Sequence, residues 1–278
     1  MLDRKSYNPM NDYLFKFIFG RNERKRITLS FLNAIFELEG EQELKDIEFI
    51  DRDLDPEFEE DKLSKLDIYG VADEGSRIDI EIQVLNRKNM EKRTLFYWAK
   101  MYQSLKKGED YQQLHRAITV NILNFNLLPQ PGVHHMYGLY DKDSGHRLTD
   151  DLEIHFLEVP KFEYKNIKEM RRIDRWMAYF SNRLNPEEME ELAMSEAAIQ
   201  DALHAESIFM QDDIERRKYE QREKAIRDYA SDMNSSREEG REEGLKATAL
   251  EMLKDGVSLD KIRKYTHLPE SVLEKLHP

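Results

Sequence analysis

The chain has 278 residues, room for one large domain or two ordinary ones, and 40% of them are hydrophobic, enough to build a packed core. Charged residues make up 36%, and 56 acids against 43 bases leave a net charge of -13, a surface that repels polyanions unless metal ions or local basic patches intervene. The absence of cysteine excludes disulfide frameworks, thiol catalysis and cysteine-ligated zinc. A cytoplasmic protein without a membrane partner is expected, since no apolar run approaches the roughly 20 residues of a span and MLDRKSYNPMNDYLF lacks the features of a signal peptide.

In chain order, NDYLFKFIFG places Leu14, Phe15, Ile18 and Phe19 at helical spacing, and the stretch from Glu23 to Glu37 repeats the pattern with Ile27, Leu29, Phe31, Leu32 and Ile35. Two packed helices are predicted there. From Leu44 the period changes to two: Ile47 and Phe49, then Leu66 and Ile68, then Ile78, Ile80, Ile82 and Val84 alternate with polar residues as half-buried strands do. The acidic DRDLDPEFEEDK between them reads as a loop. A helix follows from Lys88 to Lys107, with Met90, Leu95, Phe96, Trp98, Met101 and Leu105 as its apolar contacts and Gly108 as its stop. RAITVNILNF, Arg116 to Phe125, has the continuous apolar character of a central strand, and HMYGLYD and LEIHFLEV read as further strands around the turn-like DKDSGHRLTD. After about Lys165 helix formers dominate, with Asn185, Pro186, Glu187 and Glu188 marking one helix start. The last part, ALEMLKDGVSLDKIRKYTHLPESVLEKL, reads as three short helices.

The segment KLDIYGVADEGSRIDIEIQVLN carries the most chemistry. Asp79, Glu81 and Gln83 share one face of a strand whose other face is Ile78, Ile80, Ile82 and Val84. Asp73 to Gly75 suits a three-residue hairpin loop, and that loop sets Asp67 across from Glu81, Tyr69 from Asp79 and Lys65 from Gln83. Two carboxylates then face each other at ~5 Å between Cβ atoms, an arrangement that a cation between them would stabilise. Magnesium, which keeps several waters and takes few protein ligands, fits such a pair. An amphipathic hairpin with a solvent-facing polar side, Glu81 paired to Lys65 or Arg77, gives the same pattern.

The spacing from Asp67 to Glu81 and Gln83 also resembles the ExQ variant of the PD-(D/E)XK nuclease signature. With NDYLFKFIFG, EKRTLFYWAKMYQSLKKGEDY, RAITVNILNF, LTDDLEIHFLEVPKF and the REEG-rich tail, nearly the whole chain is similar to the Rpn-type recombination-promoting nucleases, a transposase family of that superfamily. The resemblance implies an α/β fold with an αβββαβ nuclease core over residues 1–165, an all-α extension over 166–278, and hydrolysis of DNA phosphodiester bonds with Mg2+ or Mn2+. It makes Asp67 and Glu81 the metal-binding acids, joined by the Ile82 carbonyl, and Gln83 the residue that orients the attacking water at a position usually held by lysine. Glutamine can hold a water but brings no positive charge to the phosphate, so Lys65 is a candidate to supply it and Asp12 a candidate third acid. The rival reading is a non-catalytic DNA-binding or oligomerising protein with a degenerate site.

For DNA contact the candidates are Arg87, Lys88, Lys92 and Arg93, just after the Glu81 strand, with Tyr97 and Tyr102 further along the helix. The histidines show no zinc spacing, His134-His135 reads as a loop pair, and neither phosphate-cradling glycine motif occurs. Residues 211–278 are expected to mediate self-association, making a homo-oligomer, or to guide DNA. Gly240 and Gly244 in REEGREEG predict a close backbone approach or a helix break, because glycine costs a helix up to ~1 kcal/mol relative to alanine.

Overall fold

The computed structural model describes residues 7–50, 67–103 and 110–276. The expected acidic loop, Lys65, Leu66, Leu105 and Gly108 lie outside the described residues. The chain opens with α1 (Asp12–Phe19) and α2 (Lys25–Ile35). Asn11, not Asp12, caps α1: its side-chain oxygen accepts from the backbone N–H groups of Tyr13 and Leu14 at 3.1 and 3.3 Å. Leu14, Phe15, Ile18 and Phe19 are all fully buried, as their helical spacing predicts.

The strands β1 (Ile47–Phe49), β2 (Ile68–Ala72) and β3 (Arg77–Gln83) form an antiparallel meander, followed by α3 (Met90–Tyr102) and β4 (Ala117–Leu123), which lies parallel to β3. Completing the sheet are β5 (His134–Tyr140) and β6 (Arg147–Glu158), the latter parallel to β4, and the strand order is β1-β2-β3-β4-β6-β5. Every residue of β4 is buried, which is why its sequence runs apolar without alternation. The turn before β6 is shorter than its polar sequence suggests, because Arg147 and Thr149 pair with Tyr140 and Leu139 and draw LTDD into the strand.

One sheet face, with Ile78, Ile80 and Ile82 of β3 and Ile118, Val120 and Ile122 of β4, joins α1 and α2 in a single buried cluster. That cluster continues past the compositional change near residue 165. Trp176 and Phe180 of α4 (Arg172–Ser181) pack their rings around Phe19 and Phe31, and Phe209 of α6 (Ala197–Gln211) meets Phe17. Between them α5 (Pro186–Ser195) starts as predicted, with Asn185 and Glu188 forming a reciprocal capping box.

The other sheet face is covered by α3, and here the expected apolar contacts of that helix need correction. Its buried stripe is Met90, Thr94, Tyr97 and Met101, whereas Leu95 and Phe96 are 51% and 41% exposed. The physical reason is the polar strand face beneath: Thr94 donates to Asn121 of β4 at 3.0 Å, a contact that hydrophobic periodicity does not reveal.

The chain divides into two compact units, Met1–Arg222 and Glu223–Pro278. The long α7 (Asp213–Lys254) supplies residues to both, and α8 (Leu259–Thr266) and α9 (Glu270–Leu273) complete the second. Ala249, Ile262, Leu268 and Leu273 form the small core of that unit, in which the first of the three expected short helices is the end of α7. α7 runs unbroken through Gly240 and Gly244, and no described atom lies within 4 Å of a Cβ added at either. Among the described residues no helix is long and apolar enough to cross a membrane.

Candidate active site

The hairpin β2–β3 sets the site. Gly75 takes φ +91°, a conformation that suits glycine, and closes the turn by donating to the Ala72 carbonyl at 2.9 Å. A Cβ there would also lie 2.7 Å from Nδ1 of the exposed His115, whose ring would have to move aside. The turn fixes the register in which Tyr69 pairs with Asp79 and Ile68 with Ile80, the alignment predicted from its length. Continued by one pair, that register sets Asp67 across from Glu81. Asp67 Oδ2 accepts from the Ile82 N–H at 2.9 Å, tying the start of β2 to β3.

Asp79 and Glu81 are each 1% exposed, so the polar face of β3 does not meet solvent and a surface hairpin does not describe it. Among the described residues Arg77 is not the partner of Glu81. Arg77 donates to the Met101 carbonyl at 3.0 Å, while Glu81 Oε2 accepts from Arg93 Nη2 at 2.6 Å and from the Gln83 amide at 3.1 Å. Glu81 Oε1 is buried and has no hydrogen bond of normal geometry from a described residue, although the Asp67 backbone N–H comes near enough to the carboxyl to oppose the rise in its pKa. Each carboxylate therefore has one oxygen engaged by the protein and a second left for something else; on Asp67 that second oxygen, Oδ1, has Lys16 Nζ of α1 at 3.7 Å.

The electrostatics follow from this geometry. Burial pushes the Asp67 carboxyl up to about 6, with Lys16 and the Ile82 N–H opposing the rise and Asp12 adding to it. Burial, then the charges of Asp67 and Asp79, hold Glu81 well above the usual carboxylate range against the pull of Arg93. A buried acceptor left without a donor costs about 1–3 kcal/mol, and a divalent cation would offset both that cost and the carboxylate repulsion. The donor set is hard oxygen and small. Among the described residues no group of three or more His, Asp or Glu side chains is placed to hold a metal, so the pair suits an ion that keeps most of its waters.

The remaining candidates fall in different places. Gln83 is half-buried beside Glu81, and Arg87, Lys88 and Lys92 are exposed between β3 and the first turn of α3. Arg93 lies inside the site, its guanidinium held by Glu81 and 5.2 Å from the centre of the Tyr97 ring. Tyr97 is buried, and Tyr102 donates to Asp151 at 3.0 Å. Asp12 makes a two-point ion pair with Arg222 of α7, both contacts at 2.7 Å. Sequence reasoning missed Lys16; its one local signal is that it stands four residues after Asp12, on the same side of α1.

A second buried carboxylate, Glu153 on β6, has a different surrounding. It is paired with Arg116, with Arg147 Nη2 at 2.7 Å, and with His155 Nε2 at 3.4 Å, and His155 in turn shares a hydrogen bond with His134 at 2.9 Å. Burial raises the Glu153 carboxyl, but hydrogen bonds from His155 and Arg147 and the charge of Arg116 outweigh it and bring the group down to about 2. Burial and the neighbouring histidines lower His134 to about 4. The predicted loop pair His134-His135 thus opens β5, with His134 part of this network.

Compared with known proteins, residues 9–236 match the model of a family described as PD-(D/E)XK nuclease family transposase. The chain belongs to that family. No curated protein and no solved structure compared with it matches.

Proposed function

We propose, from membership of the PD-(D/E)XK nuclease family transposases, that this protein is a Mg2+- or Mn2+-dependent deoxyribonuclease that cuts DNA internally in recombination or the movement of mobile DNA. The observation that carries this reading is the facing pair of half-buried Asp67 and buried Glu81, both raised in pKa, with one oxygen of each fixed by the protein, Glu81 Oε1 without a described hydrogen bond and Asp67 Oδ1 in only a long contact with Lys16. The metal would be held by Asp67 Oδ1, Glu81 Oε1 and the Ile82 carbonyl. When bound, it lowers the pKa of a coordinated water and offsets charge on a phosphoryl oxygen.

The chain's own groups do the positioning. The Ile82 N–H and the Arg93 guanidinium fix the orientation of the two carboxylates before substrate arrives. Gln83 orients the attacking water through its amide. The water oxygen adds to phosphorus in line, the P–O bond to the leaving sugar oxygen breaks, the water loses a proton and the leaving oxygen gains one. Arg87, Lys88 and Lys92 line the approach and contact backbone phosphates despite the acidic total of the chain. Residues 211–278 contribute to self-association or DNA engagement and not to the chemical step.

The test is cleavage of plasmid and linear duplex in Mg2+, in Mn2+ and in chelator, with Asp67→Ala as control. Metal-dependent nicking lost in Asp67→Ala supports the reading; cleavage that is indifferent to metal or survives in Asp67→Ala overturns it.

A further inference from the structure

Hydrolysis of a phosphodiester builds negative charge on the non-bridging oxygens as water adds to phosphorus, and it does so here beside two carboxylates. The strand that carries Glu81 offers only a neutral amide at Gln83, so a cation must come from another element. Among the described residues two contact the carboxylates, Arg93 and Lys16. Arg93 is committed to Glu81 and turned inward: its Nη2 donates to Glu81 Oε2 at 2.6 Å, its guanidinium lies against Tyr97, its Nε is buried without a described partner, and the side chain is only 25% exposed. Lys16 is differently placed. Its ammonium is 3.7 Å from Asp67 Oδ1, a long single contact, and its side chain is 43% exposed.

The position of Lys16 is set firmly. The Asn11 cap and the fully buried Leu14, Phe15, Ile18 and Phe19 hold α1 against the core. The helix positions left outside that stripe are Asp12, Tyr13 and Lys16. Asp12, four residues away and the natural partner of Lys16 along the helix, is engaged by Arg222 through both of its oxygens. The ammonium is thus held beside Asp67 Oδ1 by one long contact, and its partly exposed side chain leaves it donors for a further acceptor.

We infer that Lys16 is the residue that binds the scissile phosphate, donating to a non-bridging oxygen and supplying from α1 the positive charge that Gln83 cannot supply from β3. This rests on the nuclease reading above. With Asp67 Oδ1 engaged by a metal, the ammonium exchanges its carboxylate contact for the phosphate oxygen, so that one charge serves the pair before substrate binds and the substrate afterwards.

The experiment uses full-length protein carrying Lys16→Met or Lys16→Arg, with Asp67→Ala beside them. Binding of a fluorescent duplex in Ca2+, followed by anisotropy across a salt series, reads the phosphate contact without turnover. Lys16→Met should lower the slope of log affinity against log salt by roughly 0.9, the share of one duplex phosphate, and Lys16→Arg should keep it. Mn2+ affinity measured by calorimetry should be unchanged or higher in Lys16→Met. Cleavage at saturating Mn2+ should fall roughly a hundredfold in Lys16→Met, with partial recovery in Lys16→Arg. If Lys16→Met binds and cuts as wild type does while Asp67→Ala is inactive, the role of Lys16 is wrong and the nuclease reading stands. If Lys16→Met loses Mn2+, Lys16 shapes the metal site instead, which also overturns the inference. A wild-type protein that neither binds duplex nor cuts it sinks both.

Discussion

Glu81, with half-buried Asp67 beside it, and Glu153 are buried carboxylates in the same sheet, and the chain treats them in opposite ways. Glu153 receives Arg116, Arg147 and His155, so that burial is outweighed and the carboxyl falls to about 2. Glu81 receives one arginine and one amide on a single oxygen, while its other oxygen has no hydrogen bond of normal geometry from a described residue, and burial and two further carboxylates raise it against Arg93 and the Asp67 N–H. A charge the protein neutralises by itself is a structural element. One that it buries and leaves short of positive charge is an unfinished site, stable with a cation from outside and strained without one.

The sharpest way to break this contrast is activity. Glu81→Gln should lower DNA cleavage roughly a thousandfold, about 4 kcal/mol of transition-state stabilisation, whereas Glu153→Gln should stay within about tenfold of wild type at temperatures where it is folded. Equal losses in plasmid nicking would mean that Glu153 also serves the reaction.

Stability should respond the other way round. In metal-free protein Glu153→Gln leaves two arginines without their shared partner and should cost about 3 kcal/mol, which for a unit of this size means a drop in Tm of about 6–12 °C. Glu81→Gln removes a poorly compensated buried charge and should leave Tm unchanged or raise it. Calorimetric scans in chelator compare the two directly, and a Glu81→Gln protein as destabilised as Glu153→Gln would remove the distinction.

The pH dependence of stability separates the regions by sign. Asp67 is raised above its ordinary value of 3.8, so the stability its protonated form contributes is full below that value and is lost as pH rises through about 6. Glu153 is depressed, so its contribution is full above about 4.5 and is lost as pH falls toward about 2. Each amounts to about 1–3 kcal/mol. In denaturant melts of metal-free protein, Asp67→Asn should flatten the decline between about pH 4 and 7, and Glu153→Gln should flatten the acid limb; the reverse assignment contradicts the account. A smaller effect belongs to the exposed cations. Neutralising Arg87, Lys88 and Lys92 together should weaken duplex binding and reduce its salt slope by roughly 0.9 for every phosphate these side chains no longer neutralise, and an unchanged slope puts the DNA path elsewhere.

The site was legible in sequence where local rules govern it. Asp73 to Gly75 specified the turn, the turn specified the register, and alternation in RIDIEIQ separated the isoleucines from the carboxylates. What alternation does not encode is what covers the polar face. Without α3 in view, burial of Asp79 and Glu81 could not be read, and neither could the inward role of Thr94 or the exposure of Leu95 and Phe96. Lys16, and the pairing of Arg93 with Glu81 in place of its expected DNA contact, were hidden for a related reason: each reaches its carboxylate from another element, across 51 and 12 residues of sequence respectively. The Glu153 network joins Arg116, Arg147 and His155 from two strands and gives no motif at all. The compositional change near Lys165 likewise marks a change of secondary structure, while the buried aromatic cluster runs on through α4 and α6.

Joint binding of one divalent ion by Asp67 and Glu81, as proposed, can be read without turnover by Mn2+ titration in a calorimeter. Wild-type protein and Glu153→Gln should each bind one tight equivalent per chain, with protons released below about pH 6 as the carboxylates give them up, and Asp67→Asn and Glu81→Gln should each lose that equivalent. Unchanged binding in Asp67→Asn and Glu81→Gln, or loss of binding in Glu153→Gln while it remains folded, would contradict it.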